Sequence, residues 1–181
     1  MSGSGFLDVA HHRLPLFWGL ALLGLLAPWL LTEVDIGDWT SLGAAGRACT
    51  VASIHDGDTL RAVCDGERIQ VRLYCIDAPE MSQAPWGRES RDHLRRMTPG
   101  EVAIRIHDTD RYGRRIGEVM TSEGTSLNLA MVSAGQAAVY PRYCQDPRFF
   151  AAERAARTGG MGIWSSAGNH QRPWDHRRGS Q

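Results

Sequence analysis

The sequence predicts an α+β domain: a five-stranded β-barrel of the OB type with about three helices, carried behind an N-terminal apolar helix. Three observations lead there. Residues 48–75 alternate apolar and polar between Asp/Gly turns, the pattern of an antiparallel meander. A helix-prone stretch then separates the third strand from two more strands, and two capped helical segments follow. Finally, residues 14–31 read LPLFWGLALLGLLAPWLL without a charge. The order of strands and helices fits a five-stranded barrel, and it also leaves an α+β sandwich open.

The apolar run comes first along the chain. As a helix, its residues span roughly 27 Å, close to the bilayer core. Trp18 and Trp29 sit toward its two ends, where amphipathic rings favour the membrane interface. Pro15 falls in the tolerated first turn, and Pro28 can kink the last. Arg13 precedes the run, while Glu33, Asp35 and Asp38 follow it. Charge asymmetry therefore keeps residues 1–13 cytoplasmic and sends the rest across. The first reading is a membrane anchor with an extracytoplasmic domain. A cleaved signal sequence, giving a secreted protein, is the second. A buried soluble helix is the third.

Residues 32–47 read as a linker, rich in Gly and Ala and poor in large apolar side chains. Strands are expected at about 48–55, 58–64 and 68–75, with a turn at Asp65-Gly66. Residues 81–87 form a loop, and 88–97 a helix that places Leu94 and Met97 on one face. Val102, Ile104 and Ile106 mark a fourth strand, and 115–120 a fifth. Thr125 or Ser126 caps a helix stopped by Gly135. Asp146-Pro147 pairs an N-cap with Pro at the first helical position and opens a last helix, which runs to Gly159-Gly160. The folded domain is expected over 48–165. Residues 166–181, with Arg172, Arg177 and Arg178, read as an unstructured tail, either simply solvated or in contact with anionic surfaces.

Basic and acidic side chains balance, and every basic one is Arg. A neutral chain lacks the footprint of a tight electrostatic nucleic-acid binder, yet this is compatible with an enzyme that must release its product. Any phosphate clamp here is made of guanidinium groups, with planar bidentate geometry.

Four cysteines suit an oxidising compartment. A hairpin centred between Asp56 and Gly57 sets Cys49 opposite Cys64, at a spacing that allows a disulfide. A bulge in the turn would break that register. Cys75–Cys144 is the second expected pair, and free buried thiols are the alternative.

The chemistry concentrates between Ile54 and Glu80. A meander can bring Asp58 beside Asp77 and Glu80, with Arg72 among them. Clustered carboxylates call for a cation or a proton, and an all-oxygen set selects a hard ion such as Ca²⁺ or Mg²⁺. An arginine beside such an ion stabilises charge on a phosphoryl group. The plainer alternative is a set of solvated turn residues. His55, His93 and His107 lie on separate elements and lack metal-ligand spacing.

The segments Asp56-Gly57-Asp58-Thr59, Arg72 to Glu80, Asp110-Arg111-Tyr112-Gly113-Arg114 and Gly162-Ile163-Trp164 resemble, in order and spacing, the staphylococcal (thermo)nuclease family. The resemblance covers roughly Cys49 to Trp164 and implies the OB-type barrel. It implies Asp58 and Asp77 as Ca²⁺ ligands, with the main-chain carbonyl of Ala78 as a third. Asp56 would then hold water or tune charge, with the Thr59 hydroxyl near the ion's water. Glu80 resembles the family's general base. Arg72 and Arg114 would grip the scissile phosphate. Tyr112 and Tyr143 suit nucleotide stacking, and Tyr140 competes with Tyr143 for that role.

The implied activity is sugar-nonspecific hydrolysis of DNA and RNA that leaves 3′-phosphate ends, performed by a monomer. Two other classes stay open: a catalytically weak OB module that binds nucleic acid or protein, and a membrane-anchored assembly protein.

Overall fold

A computed structural model describes residues 46–179. Residues 1–13, the apolar run 14–31 and nearly all of the linker 32–47 lie outside the described residues. Among the described residues no helix is long and apolar enough to cross a membrane.

Five strands close a barrel: β1 (Arg47–Ile54), β2 (Thr59–Cys64), β3 (Glu67–Leu73), β5 (Glu101–Thr109) and β6 (Arg115–Met120), in the order β1-β2-β3-β6-β5. All neighbours are antiparallel except β3 and β6. This is the OB-type α+β fold, and closure leaves no exposed edge along the circuit. Asp65 and Gly66 both take positive φ in the β2–β3 turn, as an Asp-Gly hairpin turn requires.

The β1–β2 hairpin departs from the simplest register. The His55 N–H donates to the Thr59 carbonyl, and Ile54 pairs with Leu60, so the turn is centred one half-step further on than expected. A register shift between Val51 and Ser53 absorbs the difference and returns Cys49 to a position opposite Cys64. It also moves the buried face from Cys49 to Ile54, an odd-to-even switch. A bulge adds one residue to one strand, which inverts which side chains face inward beyond it.

The helices close the barrel. Helix α1 (Trp86–Met97) buries Leu94. Helix α2 (Leu127–Ser133) is capped by Ser126, whose side chain accepts from the Leu129 N–H. Helix α3 (Pro147–Thr158) starts at Asp146, whose side chain accepts from the Arg148 N–H. Leu60, Val71, Leu73, Leu94, Ile104, Val119, Leu127, Met131 and Phe149 fill one continuous core beneath them. Cys49–Cys64 and Cys75–Cys144 are both disulfides.

Two features were not legible in the sequence. Strand β4 (Ile76–Asp77) pairs with β7 (Ala138–Val139), and two-residue strands show no periodicity. The chain beyond Trp164 also differs from expectation. Asn169–Gln171 forms a 3₁₀ turn and Pro173–Gly179 a short helix, α4. The segment has no apolar repeat. Separate contacts hold it instead: the His170 ring stacks on Trp86 at 4.4 Å, and Trp174 on Tyr140 at 5.0 Å.

Candidate active site

Asp58 leads into β2 from the turn. The Asp56 side chain accepts from the Asp58 N–H (3.1 Å), and the Asp58 carbonyl accepts from the Leu73 N–H (2.8 Å). The turn must pass close to α1, because a Cβ on Gly57 would lie 1.8 Å from Ser90 Oγ and 2.7 Å from the Ala78 Cβ. Only glycine permits that approach. The Asp58 carboxylate then reaches across to β4: its Oδ2 accepts from the Ala78 N–H at 2.7 Å, and its Oδ1 from the Thr59 hydroxyl at 3.0 Å.

Asp77 is held from three directions. Its backbone pairs with Ala138 of β7, and the neighbouring Cys75 carries the disulfide to Cys144. The fully buried Asn128 ties the end of β3 to β6: its amide donates to the Tyr74 and Gly117 carbonyls, and its oxygen accepts from the Val119 N–H. Asp77 itself is 0% exposed.

Arg72, on β3, joins the two aspartates. Its Nη2 donates to Asp77 Oδ1, and its Nη1 meets Asp58 Oδ2 as an ion pair, off the angle of a good hydrogen bond. Glu80 stands at the mouth. Its N–H donates to Gln83 Oε1, its carbonyl accepts from the Gln83 N–H, and Gly87 at the start of α1 packs against that carbonyl.

The electrostatics follow from burial. Burial, opposed by Arg72 and reinforced by the Asp58 charge, pushes Asp77 up to about 6. Burial and the same neighbour push Asp56 up to about 7. Burial works against the Arg72 charge, but Asp58, Asp77 and Asp56 outweigh it and hold the guanidinium above its ordinary value. The carboxylates thus bear more negative charge than their surroundings comfortably hold.

That donor set suits a hard divalent ion. Asp58 and Asp77 could supply carboxylate oxygens and Ala78 a main-chain oxygen. Among the described residues no three His, Cys, Asp or Glu side chains form a metal cage by themselves, so such an ion relies on the carbonyl and on water.

A second guanidinium reaches these carboxylates, and it is not Arg114. Arg177 of α4 donates from Nη2 to Asp77 Oδ2 (2.8 Å) and from Nη1 to Glu80 Oε1 (2.6 Å). Arg114 donates through Nε to Asp110 Oδ2 (2.8 Å), and among the described residues no hydrogen bond or ion pair joins it to Asp58, Asp77 or Glu80. Tyr112 stands beside it, 69% exposed, with the Arg111 and Arg114 guanidiniums 4.8 and 5.9 Å from its ring. Tyr143 is 58% exposed and meets Tyr140 edge-on at 4.9 Å. Tyr140 already has Trp174 on its face. Sequence reasoning missed Arg177. The available signal was Pro173-Trp174 followed by Arg177-Arg178, an aromatic residue where a solvated tail needs none.

One end of the barrel thus gathers two buried aspartates, an arginine and a glutamate from separate elements. Residues 70–166 match the family described as staphylococcal nuclease homologue. The chain belongs to the staphylococcal nuclease family. The matched residues include Arg72, Asp77, Glu80 and Arg114, while Asp56 and Asp58 stand just before them. Named relatives of this nuclease family agree. A protein named micrococcal nuclease from Shigella flexneri is 34% identical over 173 residues, 90% of this chain and 95% of the relative. An uncharacterized endonuclease of Escherichia coli O157:H7 is 37% identical over 118 residues, covering 65% and 76%. One from Haemophilus influenzae is 37% identical over 132 residues, covering 70% and 73%.

Proposed function

We propose that this chain is a Ca²⁺-dependent, sugar-nonspecific nuclease that cuts DNA and RNA and leaves 3′-phosphate ends. The chain is an enzyme of the phosphodiester-hydrolysing class. The observation that supports the finer reading is the convergence of Asp58, in the turn before β2, and Asp77, on β4, on the Arg72 guanidinium, with Glu80 joined to Asp77 through Arg177.

Asp58, Asp77 and the Ala78 carbonyl would hold the ion, which supplies positive charge beside the scissile phosphate when bound. Glu80 takes a proton from the attacking water as its oxygen bonds to phosphorus. The bond from phosphorus to the 5′-oxygen breaks, that oxygen takes a proton from solvent water, and the phosphate stays on the 3′ side. Arg72 faces the extra negative charge of the pentacoordinate transition state. Arg114 turns its outer nitrogens to the same phosphate while Asp110 holds its Nε. Tyr112 and Tyr143 receive flanking nucleotides. Contacts of this kind carry no base information, so little sequence preference follows.

The two disulfides and the apolar run 14–31 support an extracytoplasmic domain on a membrane anchor. The test is plasmid and RNA incubated with the full chain, with Ca²⁺ or with chelator. Ca²⁺-dependent degradation is expected, and the product strands should prime extension only after phosphatase treatment. Intact substrate at micromolar protein would refute the activity; products that prime directly would refute the cleavage side.

A further inference from the structure

Arg177 occupies a place the mechanism does not explain. It bonds at once to Asp77, assigned above to the ion, and to Glu80, assigned above to the water. Both Asp77 oxygens are thereby committed, Oδ1 to Arg72 and Oδ2 to Arg177. Both Asp58 oxygens are committed too, to Thr59, Ala78 and Arg72. A divalent ion and a guanidinium on the same buried carboxylate repel each other, so seating the ion at Asp77 favours the withdrawal of one guanidinium.

The two guanidiniums are not equally free to yield. Arg72 is 11% exposed, sits on a barrel strand and holds both aspartates. Arg177 is 39% exposed and sits on the short terminal helix α4. The helix and the turn before it rest on contacts outside the continuous barrel core: Trp174 on Tyr140, His170 on Trp86 and the Ile163 carbonyl (2.9 Å), Gln83 with Asn169 (3.3 Å), and Ser82 with His176 (3.3 Å). Arg177 withdrawing costs one surface segment, whereas Arg72 withdrawing costs the barrel rim.

We infer that residues 169–179 form a latch in which Arg177 stands in for the divalent ion, so that the ion displaces Arg177 as it seats at Asp77. The inference rests on the ion site proposed above. A binder that takes only the open form has its apparent affinity reduced by the fraction closed. Release of Arg177 also frees Glu80 from a direct ion pair, so arming the base and seating the ion become one event.

The test is calorimetric Ca²⁺ titration of the full chain as wild type, Arg177→Ala and Trp174→Ala, together with amide hydrogen exchange of residues 169–179. Solvent reaches the Arg177 side of both ion pairs and weakens them, so Arg177→Ala should tighten Ca²⁺ binding roughly fivefold to tenfold. Trp174→Ala keeps the carboxylates and the arginine and should move affinity the same way. In wild type, exchange in 169–179 should speed up when Ca²⁺ is added. If Arg177→Ala binds Ca²⁺ no better than wild type, or exchange in the segment is unchanged by the ion, the latch is refuted while the ion site stands. Wild type that binds no Ca²⁺ at millimolar concentration would refute the ion site and the latch together.

Discussion

Replacing Asp77 by Asn isolates the electrostatic load at the centre of the site. Asp77 is wholly buried, and its carboxyl is raised from 3.8 to about 6, chiefly by burial. Each decade of proton affinity is worth about 1.4 kcal/mol, so the ionised form bears a cost on the order of 3 kcal/mol. The sign follows from linkage. The folded chain holds this proton more tightly than the unfolded chain. The stability it confers is therefore complete below the unfolded value and is lost as pH rises through about 6. In chelator, wild type should lose about 2.5 kcal/mol of this contribution between pH 4 and pH 7.5, roughly 8 °C in melting temperature for a domain of this size. Asp77→Asn cannot ionise there and should show a slope shallower by that amount. The assay is thermal unfolding by circular dichroism at pH intervals in chelator. Equal slopes in the two proteins would refute the argument.

Three further outcomes test other parts of the account. Glu80→Gln should lower turnover at saturating Ca²⁺ by about 10²–10⁴, the range for loss of a general base, with an unchanged far-ultraviolet spectrum; a near-normal rate would remove Glu80 from the chemistry. Gly57→Ala places a methyl 1.8 Å from Ser90 Oγ, and relieving that clash should cost about 1–3 kcal/mol in urea unfolding; wild-type stability would show that the turn is not held by this approach. Opening the Cys75–Cys144 disulfide with a double Ser substitution should cost about 4 kcal/mol, more than the roughly 3 kcal/mol for Cys49–Cys64, because its loop spans 69 residues against 15. The reverse ranking in urea unfolding would contradict the loop-closure reasoning.

The five barrel strands, helices α1 to α3 and the gathering of Asp58 and Asp77 around Arg72 were legible because each rests on short-range sequence rules. Alternation with an Asp-Gly turn marks β2 and β3, and Asp146-Pro147 marks the start of α3. The bulge in β1 was not legible, since which strand takes up an extra residue is decided by packing on both faces. Cys49 still faces Cys64, through two compensating shifts that no spacing rule exposes. Strands β4 and β7 exist because the chain around Asp77 finds Ala138 across the fold, and nothing in either dipeptide asks for it. Arg177 was out of reach for a related reason. Its partners lie 97 and 100 positions away, and its helix is held by isolated ring contacts. Arg114 shows the converse: its motif marks a likeness to a family, whereas its guanidinium is tied to Asp110.

The most direct test of the account measures ion binding and hydrolysis in the same samples, for wild type, Asp58→Asn and Asp77→Asn. The account predicts one Ca²⁺ per wild-type chain by calorimetry, and loss of binding and of hydrolysis together in each variant. Undiminished Ca²⁺ binding in either variant, or hydrolysis that persists in chelator, would contradict it.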